Sequence, residues 1–559
     1  MNKYNIILIV VDAVRSFKTG KDEKDRLDIY NKLTENGFYA FDKLVVSAPS
    51  SVMSAITMLT GLPSFMLAQN YNDFQWEPEL YDILPNKLDE LKYDLYGLFG
   101  TKEMRDKMKQ VFPPMKKHLL DQGINLNQKK WSNRELLGTV IKYFDNEIST
   151  KDNPFFLMTW FNSRFDWQTS DIIGELIDYL IKKNYIENSI VIVTADHGYP
   201  DQSRGLTSDG VDLKKAGIPH DLIVTDDNIC VPLAIRFPKY SLADEKLSSQ
   251  YSDRFISKIV SQECLTPTIY SILGIEYSPN KSIRPERQDI VSEILKQDNS
   301  PIRSDARFIF QPNRITSIRS DSYKYIIDRE KKEEYFYNLE VDPYEKNKST
   351  IDNNQKILAL KNIYDKTEEK ALQIWLAKIS KGLKSYNFEG ILGSSKECDV
   401  FFLGRTVFFI PFIQHLQEQD IRINLHVLDQ NIKTLMSKDM NEKLESIKLI
   451  KTCKLDHAII ILEDSMDSYL VGKLKEIKAS KILIIDILLN SYLSKYGFIL
   501  KNKINYLLAP VNRMYLRREL YKSDYLLFFG DLTYITKKLI KVIFRKFSSI
   551  FLLRSNSNN

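Results

Sequence analysis

Two distant fragments constrain the fold more than anything else in this chain. Near the start, Ile6, Ile7, Leu8, Ile9, Val10 and Val11 run without a break into Asp12. Much later, Ile190, Val191, Ile192 and Val193 pass through Thr194 and Ala195 into Asp196, His197 and Gly198. A short, unbroken run rich in β-branched residues reads as a strand buried on both faces, which is the habit of parallel strands in α/β sheets. In open α/β sheets chemistry gathers where strands end at their carboxyl edge. An Asp at one strand end and an Asp-His pair at another are therefore expected to face one crevice. Their oxygens and imidazole are natural ligands for a divalent metal.

Composition narrows the classes that remain. With 559 residues, 43% hydrophobic and 27% charged, the chain is ordinary globular material that exceeds one core. A net charge of +6 is small for this length, and no zinc-finger or helix-turn-helix spacing appears, so no nucleic-acid partner is expected. The four cysteines, Cys230, Cys264, Cys398 and Cys453, are far apart and form no CxxC pair. They read as structural thiols in a reducing compartment rather than a disulfide framework. The apolar run at Ile6 is too short for a secretory leader and lacks a small-residue cleavage site. No stretch reaches the roughly 18 apolar residues of a membrane span. A cytoplasmic location is the expectation.

Strand and helix patterns alternate through the first half, as α/β architecture requires. Residues 87–95 read as a helix and 95–99 as a strand; residues 172–183 have helical spacing and lead by a turn into the Asp-His strand. A Gly- and Asp-rich loop over 201–227 is long enough to border a site. A charged helix over 355–381 and a Gly/Ser linker, with Gly390, Gly393, Ser394 and Ser395, close a first domain placed at residues 1–385. The pattern then restarts at Asp399, with strands expected at 399–403, 421–428, 458–462, 482–486 and 525–530. This second domain, residues 396–559, reads as Rossmann-like. Gly404 and Asp429 stand where a phosphate turn and a ribose acid would stand, but the full G-x-G-x-x-G is absent. Packing or partner binding is therefore its default role. The basic, amphipathic end at 539–554 reads as a terminal core helix, with peripheral membrane contact as the alternative.

The first half resembles the sulfatases, within the alkaline-phosphatase-like superfamily. The stretches that carry the resemblance occur in the family's order: Val11, Asp12, Ala13, Val14, Arg15; Ser50, Ser51 and Ser54 running into Leu59, Thr60, Gly61; Asp171 to Gly174; and Thr194 to Gly198. His220 follows, eleven residues before Val231, Pro232, Leu233, and then Leu265, Thr266, Pro267. Last come Ser317 to Arg319, Tyr323 to Tyr325, and Tyr337 to Pro343. The resemblance implies an α/β sandwich of mixed sheet and flanking helices. It also implies a divalent metal (Ca, Mg, Mn or Zn) held by Asp12, Asp196 and His197, with the nucleophile Ser51 as a further ligand.

Ser51 is placed by counting, because the family's nucleophile stands eight residues before the Leu-Thr-Gly triplet. It falls at the start of an expected helix, where backbone N–H groups favour an anion. The family's C-x-P-x-R motif departs here: its Pro and Arg positions hold Met53 and Ala55. An unmodified serine beside a metal suits phosphoryl transfer. His220 is the candidate to assist the leaving group, Lys102 the candidate catalytic cation, and Arg15 the candidate binder of the ester oxygens. Arg319 and Lys324 read as structural. Ala13 replaces the second Asp of the family's pair, and residues 162–169 lack a histidine, so a second metal is not expected. The reading is a metal-dependent hydrolase of a sulfate or phosphate ester, its partner a small-molecule or glycan ester. A phosphotransferase acting on a sugar is the first alternative and a catalytically inactive scaffold the second.

Overall fold

The computed structural model describes residues 3–15, 29–66, 83–100, 104, 108, 132–162, 169–199, 223–277, 287–296, 300–306, 315–328, 333–349 and 355–384. In the second unit it describes the strands within 397–403, 422–427, 455–462, 479–486, 497–500, 504–507 and 526–528. The chain divides into two compact units, Met1–Ala371 and Leu372–Asn559.

The first unit is built on a seven-stranded sheet. In chain order its strands are β1 (Asn5–Val11), β2 (Tyr39–Val45), β3 (Asp94–Phe99), β4 (Phe155–Phe161), β5 (Ser189–Ala195), β6 (Cys230–Arg236) and β7 (Phe255–Ser261). In space they run β3-β4-β1-β5-β6-β2-β7. β1 is an interior strand, parallel to β4 on one side and β5 on the other. Its six residues from Ile6 to Val11 are all buried, so neither face can carry a polar side chain. The β5 run is apolar for the same reason, but β5 is not parallel on both sides, since β6 pairs with it in the opposite direction. An apolar run reports burial of both faces and is silent on the direction of the next strand.

Register is what makes a site. Val11 is level with Ala195 across one ladder and with Phe161 across the other. The residues that follow, Asp12, Asp196 and Asn162, therefore emerge side by side at one sheet edge. The Asp12 N–H reaches Phe161 C=O at 2.9 Å, extending the ladder by one residue.

A second, antiparallel sheet of four strands stands beside this edge: β8 (Ile302–Ala306), β9 (Ile315–Arg319), β10 (Tyr323–Asp328) and β11 (Glu333–Asn338). Its outer strand β8 is tied to the segment after β2, with Asp305 N–H on Ser47 C=O at 2.9 Å and Ser304 Oγ on Val46 C=O at 2.5 Å. The helix Gln355–Lys384 begins by burying Ile357 and Leu360 against Ile318, Tyr325 and Phe336 of this sheet. Cys230 and Cys264 are buried free thiols, pushed up by their burial and so unreactive.

The second unit carries a mostly parallel, Rossmann-like sheet. Its strands are β12 (Glu397–Leu403), β13 (Arg422–Val427), β14 (Leu455–Leu462), β15 (Ala479–Asp486), β16 (Gly497–Leu500), β17 (Ile504–Leu507) and β18 (Leu526–Phe528). They run β13-β12-β14-β15-β17-β16-β18, the first strand flanked by the second and third as in doubly wound sheets. β16 pairs antiparallel with both β17 and β18. β16 and β17 are four-residue strands that the apolar pattern does not announce. Gly404, Asp429, the linker over 385–396 and the end at 539–554 lie outside the described residues. No helix among the described residues is long and apolar enough to cross a membrane.

Candidate active site

Ser51 is the first residue of the helix Ser51–Thr60, as expected, with Ser50 in extended backbone before it. Every residue from Val52 to Thr60 is buried, so this is a core helix whose start alone meets the sheet edge. Its far end is closed by Gly61 at φ +70°, where the Tyr277 hydroxyl donates to Thr60 C=O at 2.6 Å. A Cβ on Gly61 would stand 2.3 Å from that hydroxyl and would strain the left-handed backbone, so a larger residue is disfavoured. Ser54, one turn after Ser51, is fully buried, and its hydroxyl lies 2.5 Å from Asp196 C=O and 3.0 Å from Ala48 C=O. That contact joins the helix to the end of β5.

The side chains at the two strand ends converge. His197 Nε2 lies 3.3 Å from Asp196 Oδ2, 3.9 Å from Asp12 Oδ1 and 3.3 Å from Ser51 Oγ. Asp196 is fully buried, His197 nearly so, and Asp12 is 28% exposed and so forms the open side. Asp196 Oδ1 accepts two backbone N–H groups, from Ala13 and from His197, each at 2.9 Å. Those donors fix the carboxylate and turn Oδ2 towards His197. Ala13 adopts φ +57°, a left-handed conformation unusual for a residue with a Cβ, and this tight turn brings its N–H onto Asp196.

The imidazole has a defined orientation. His197 Nδ1 lies 2.7 Å from Gly198 C=O. A carbonyl oxygen only accepts, so a proton sits on Nδ1, and Nε2 faces Ser51 and the carboxylates. The donor set fits a divalent metal: ligand atoms of Asp12, Asp196 and His197 lie within 4.8 Å of one another. Two ligands of one ion at about 2.0–2.6 Å can stand no more than about 5 Å apart.

Arg15 is buried rather than at the surface, and its Nε donates to Tyr199 C=O at 2.6 Å. Thus Asp12, Arg15, Ser51, Asp196 and His197 belong to one edge, while His220 and Lys102 lie outside the described residues. Two further residues bear on this edge without a motif to mark them, Asn162 and Asp226. Asn162 is held by Asn133, which accepts its N–H at 2.9 Å and donates to its C=O at 2.6 Å. Asp226 stands inside the Gly- and Asp-rich stretch over 201–227, with nothing local to single it out. The signal available for Asn162 was its place directly after an apolar strand, the same signal that marked Asp12.

The ordered motifs thus sit on a mixed sheet with a core helix delivering a serine to its carboxyl edge. The arrangement is the mixed α/β sheet with flanking helices that the sequence resemblance implies. Among solved structures, the chain is similar to a protein solved with its substrate, D-glucosamine-2-N,6-O-disulfate, at 13% identity and TM-score 0.49, covering 66% of this chain and 98% of that one. It is also similar to an alkaline-phosphatase-superfamily protein of Vibrio parahaemolyticus, at 12% identity and TM-score 0.48, covering 67% and 86%. A third is the phosphonate monoester hydrolase of Agrobacterium radiobacter, at 14% identity and TM-score 0.47, covering 66% and 95%. At these identities and TM-scores no activity is taken from the likeness. No protein-family model and no curated protein matches the chain.

Proposed function

We propose that the first unit is a metal-dependent hydrolase of sulfate or phosphate esters, with Ser51 as nucleophile. The observation that carries this reading is the meeting of Ser51 Oγ with His197 Nε2 at 3.3 Å, in the cluster that Asp12 and Asp196 complete. Asp12, Asp196, His197 and Ser51 would hold the ion. When bound, a divalent ion favours the ionised hydroxyl and neutralises charge on the ester oxygens.

The remaining work falls to side chains. Ser51 Oγ attacks the phosphorus or sulfur, its bond to that atom forms and the ester bond to the leaving alcohol breaks. The free N–H groups of the helix start favour the anionic group next to Ser51. Arg15, pinned by Tyr199 C=O, is the candidate for orienting the ester oxygens. His220 is the candidate proton donor to the leaving oxygen, and Lys102 a candidate cation beside it. Water then cleaves the Ser51 ester and restores the hydroxyl.

Met53 and Ala55 stand where the family's motif has Pro and Arg, which favours an unmodified serine and hence a phosphate ester over a sulfate. The same serine phosphate could be passed to a sugar hydroxyl in place of water, which is the phosphotransferase reading. A glycan or glycolipid intermediate, met in the cytoplasm, is the substrate class in keeping with both. The test is a panel of aryl sulfates, phosphate monoesters and phosphate diesters, assayed with a series of divalent metals and with sugar acceptors. Metal-dependent phosphate release that disappears in Ser51→Ala is expected. Turnover that persists in that variant, or an aldehyde found at residue 51 by mass spectrometry, would overturn the serine chemistry.

A further inference from the structure

Away from the ligand cluster, four charged side chains are buried together. Asp226, at the start of the helix Asp226–Ile229, receives the Arg319 fork on both oxygens, Nε donating to Oδ1 at 3.1 Å and Nη2 to Oδ2 at 2.8 Å. Lys324 Nζ donates to Asp226 Oδ1 at 3.1 Å and to Glu345 Oε1 at 2.6 Å. Glu345 closes the ring by accepting the Asp226 backbone N–H on Oε2 at 2.7 Å. Lys324 is fully buried and Glu345 and Arg319 are 1% exposed. Glu345 also holds φ +54°, a left-handed conformation for a residue with a full side chain. Such conformations persist where the surroundings over-determine them.

This ring belongs to β9, β10 and the turn after β11, yet what it grips faces the candidate active site. The residues after Asp226 carry two carbonyls that hold the segment following His197. Asn228 C=O accepts the Gly198 N–H at 2.8 Å, and Asp227 C=O accepts the Tyr199 N–H at 3.0 Å. The Tyr199 N–H and the Gly198 C=O belong to one rigid peptide plane. One end of that plane is held by Asp227, and the other accepts His197 Nδ1 at 2.7 Å. A Cβ on Gly198 would stand 2.1 Å from Asp227 C=O, so the two segments are in direct contact.

We propose that Asp226, Arg319, Lys324 and Glu345 are positioning residues: they fix residues 226–228, and through the Gly198–Tyr199 peptide they orient the His197 ring. The inference rests on the metal-site reading above for its functional meaning. Buried ion pairs contribute little net stability compared with apolar packing, so their use here is direction. A bidentate fork fixes Asp226 in angle as well as distance, which an apolar contact cannot do. Outer partners of metal ligands of this kind commonly govern affinity by about 10- to 100-fold.

The test uses the full chain at pH 8 with two variants, Arg319→Lys and Glu345→Gln. The first keeps the charge and loses the fork; the second keeps the shape and loses the charge. Glu368→Gln is the control, since Glu368 pairs with buried Arg303 at 3.1 Å in another ion cluster of the same small sheet. Hydrogen exchange by mass spectrometry should show faster exchange at residues 197–199 in both variants, with β5 still protected. Calorimetric titration with Mn²⁺ alone should show affinity weakened about tenfold. The control should match the wild type in both. Unchanged exchange at 197–199, or a control that behaves like the two variants, would overturn the proposal. Wild-type protein that binds no Mn²⁺ would sink the metal reading instead, and the exchange result would still judge the brace.

Discussion

The first unit contains two polar clusters that look alike in composition and differ in charge balance. Asp12, Asp196, His197 and Ser51 bring together two carboxylates, an imidazole and a hydroxyl. Asp226, Arg319, Lys324 and Glu345 bring together two carboxylates and two cations. The second is complete in itself: each carboxylate has its cation, and the ring is closed to solvent. The first opens to solvent at Asp12, and in the proposed reading a divalent ion would join its carboxylates and imidazole. The comparison to be tested is therefore between a binding cluster and a brace that holds it still.

The sharpest way to break the comparison is to remove the hydroxyl. Ser51→Ala leaves the helix start with another good helix former and takes away only the attacking oxygen. Turnover should fall at least about a thousandfold, as loss of a covalent nucleophile does, with unfolding temperature nearly unchanged. Activity within tenfold of wild type would assign the chemistry elsewhere.

Next in size is the binding cluster itself. Asp196→Asn keeps an oxygen for the N–H groups of Ala13 and His197, so the strand end should stay folded while one ligand loses its charge. His197→Ala removes the other. Elemental analysis should find metal in wild-type protein and none in either variant. Chelation should lower the wild-type melting temperature and leave both variants where they were, since saturation at about 100 times Kd stabilises by about 2.7 kcal/mol. Equal metal content in all three proteins would end the assignment of this cluster as a metal site. The balanced cluster makes the opposite prediction: chelator and metal should leave it indifferent.

The two clusters were not equally legible in the sequence. Asp12 and Asp196 announce themselves because an apolar run that turns polar marks a strand end, and Val11 stands level with Ala195. Ser51 could be reached by counting within a motif. Arg319 and Lys324 could be read only as structural, because Asp226 and Glu345 are far from them along the chain and no local pattern links the four. Pairing direction was equally hidden: β5 and β6 run antiparallel, although β5 is as apolar as a wholly parallel strand. The short strands β16 and β17 have too few residues to show alternation.

The contact between the clusters can be loaded directly. Gly198→Ala places a methyl where Asp227 C=O now sits 2.1 Å away, and backbone cannot yield as a side-chain tip would. Overpacking of this kind costs ~1–3 kcal/mol. The displaced turn should weaken Mn²⁺ affinity by about 10- to 100-fold through His197. Affinity within twofold of wild type would show that the ring and the ligands move independently.

The smallest effect is in pH. Burial pushes the Glu345 carboxyl up to about 7; the Lys324 ammonium opposes that and the nearby Asp226 charge adds to it. Arg319 and the buried Cys230 thiol complete the groups around this ring. For Asp226 burial also acts upward, but the charges of Arg319 and Lys324 outweigh it and hold that carboxyl well below the usual carboxylate range. The two groups therefore act on stability with opposite sign. A raised Glu345 means that the folded state holds its proton more tightly than the unfolded chain. Its contribution is fully present below the unfolded value near ~4.3 and is lost as pH rises through about 7. Asp226 contributes above ~3.9 and loses its contribution only as pH falls below that. Of the two acids only Glu345 changes between pH 5 and 8, so the ring's contribution to stability should decline across this window by ~1–3 kcal/mol, with no counterpart from Asp226. Glu345→Gln carries no titrating group and should flatten the profile of melting temperature against pH. A wild-type profile already flat from pH 5 to 8, or an unaltered slope in the variant, would show that Glu345 titrates as an ordinary carboxylate and that the ring is charged on both acids throughout.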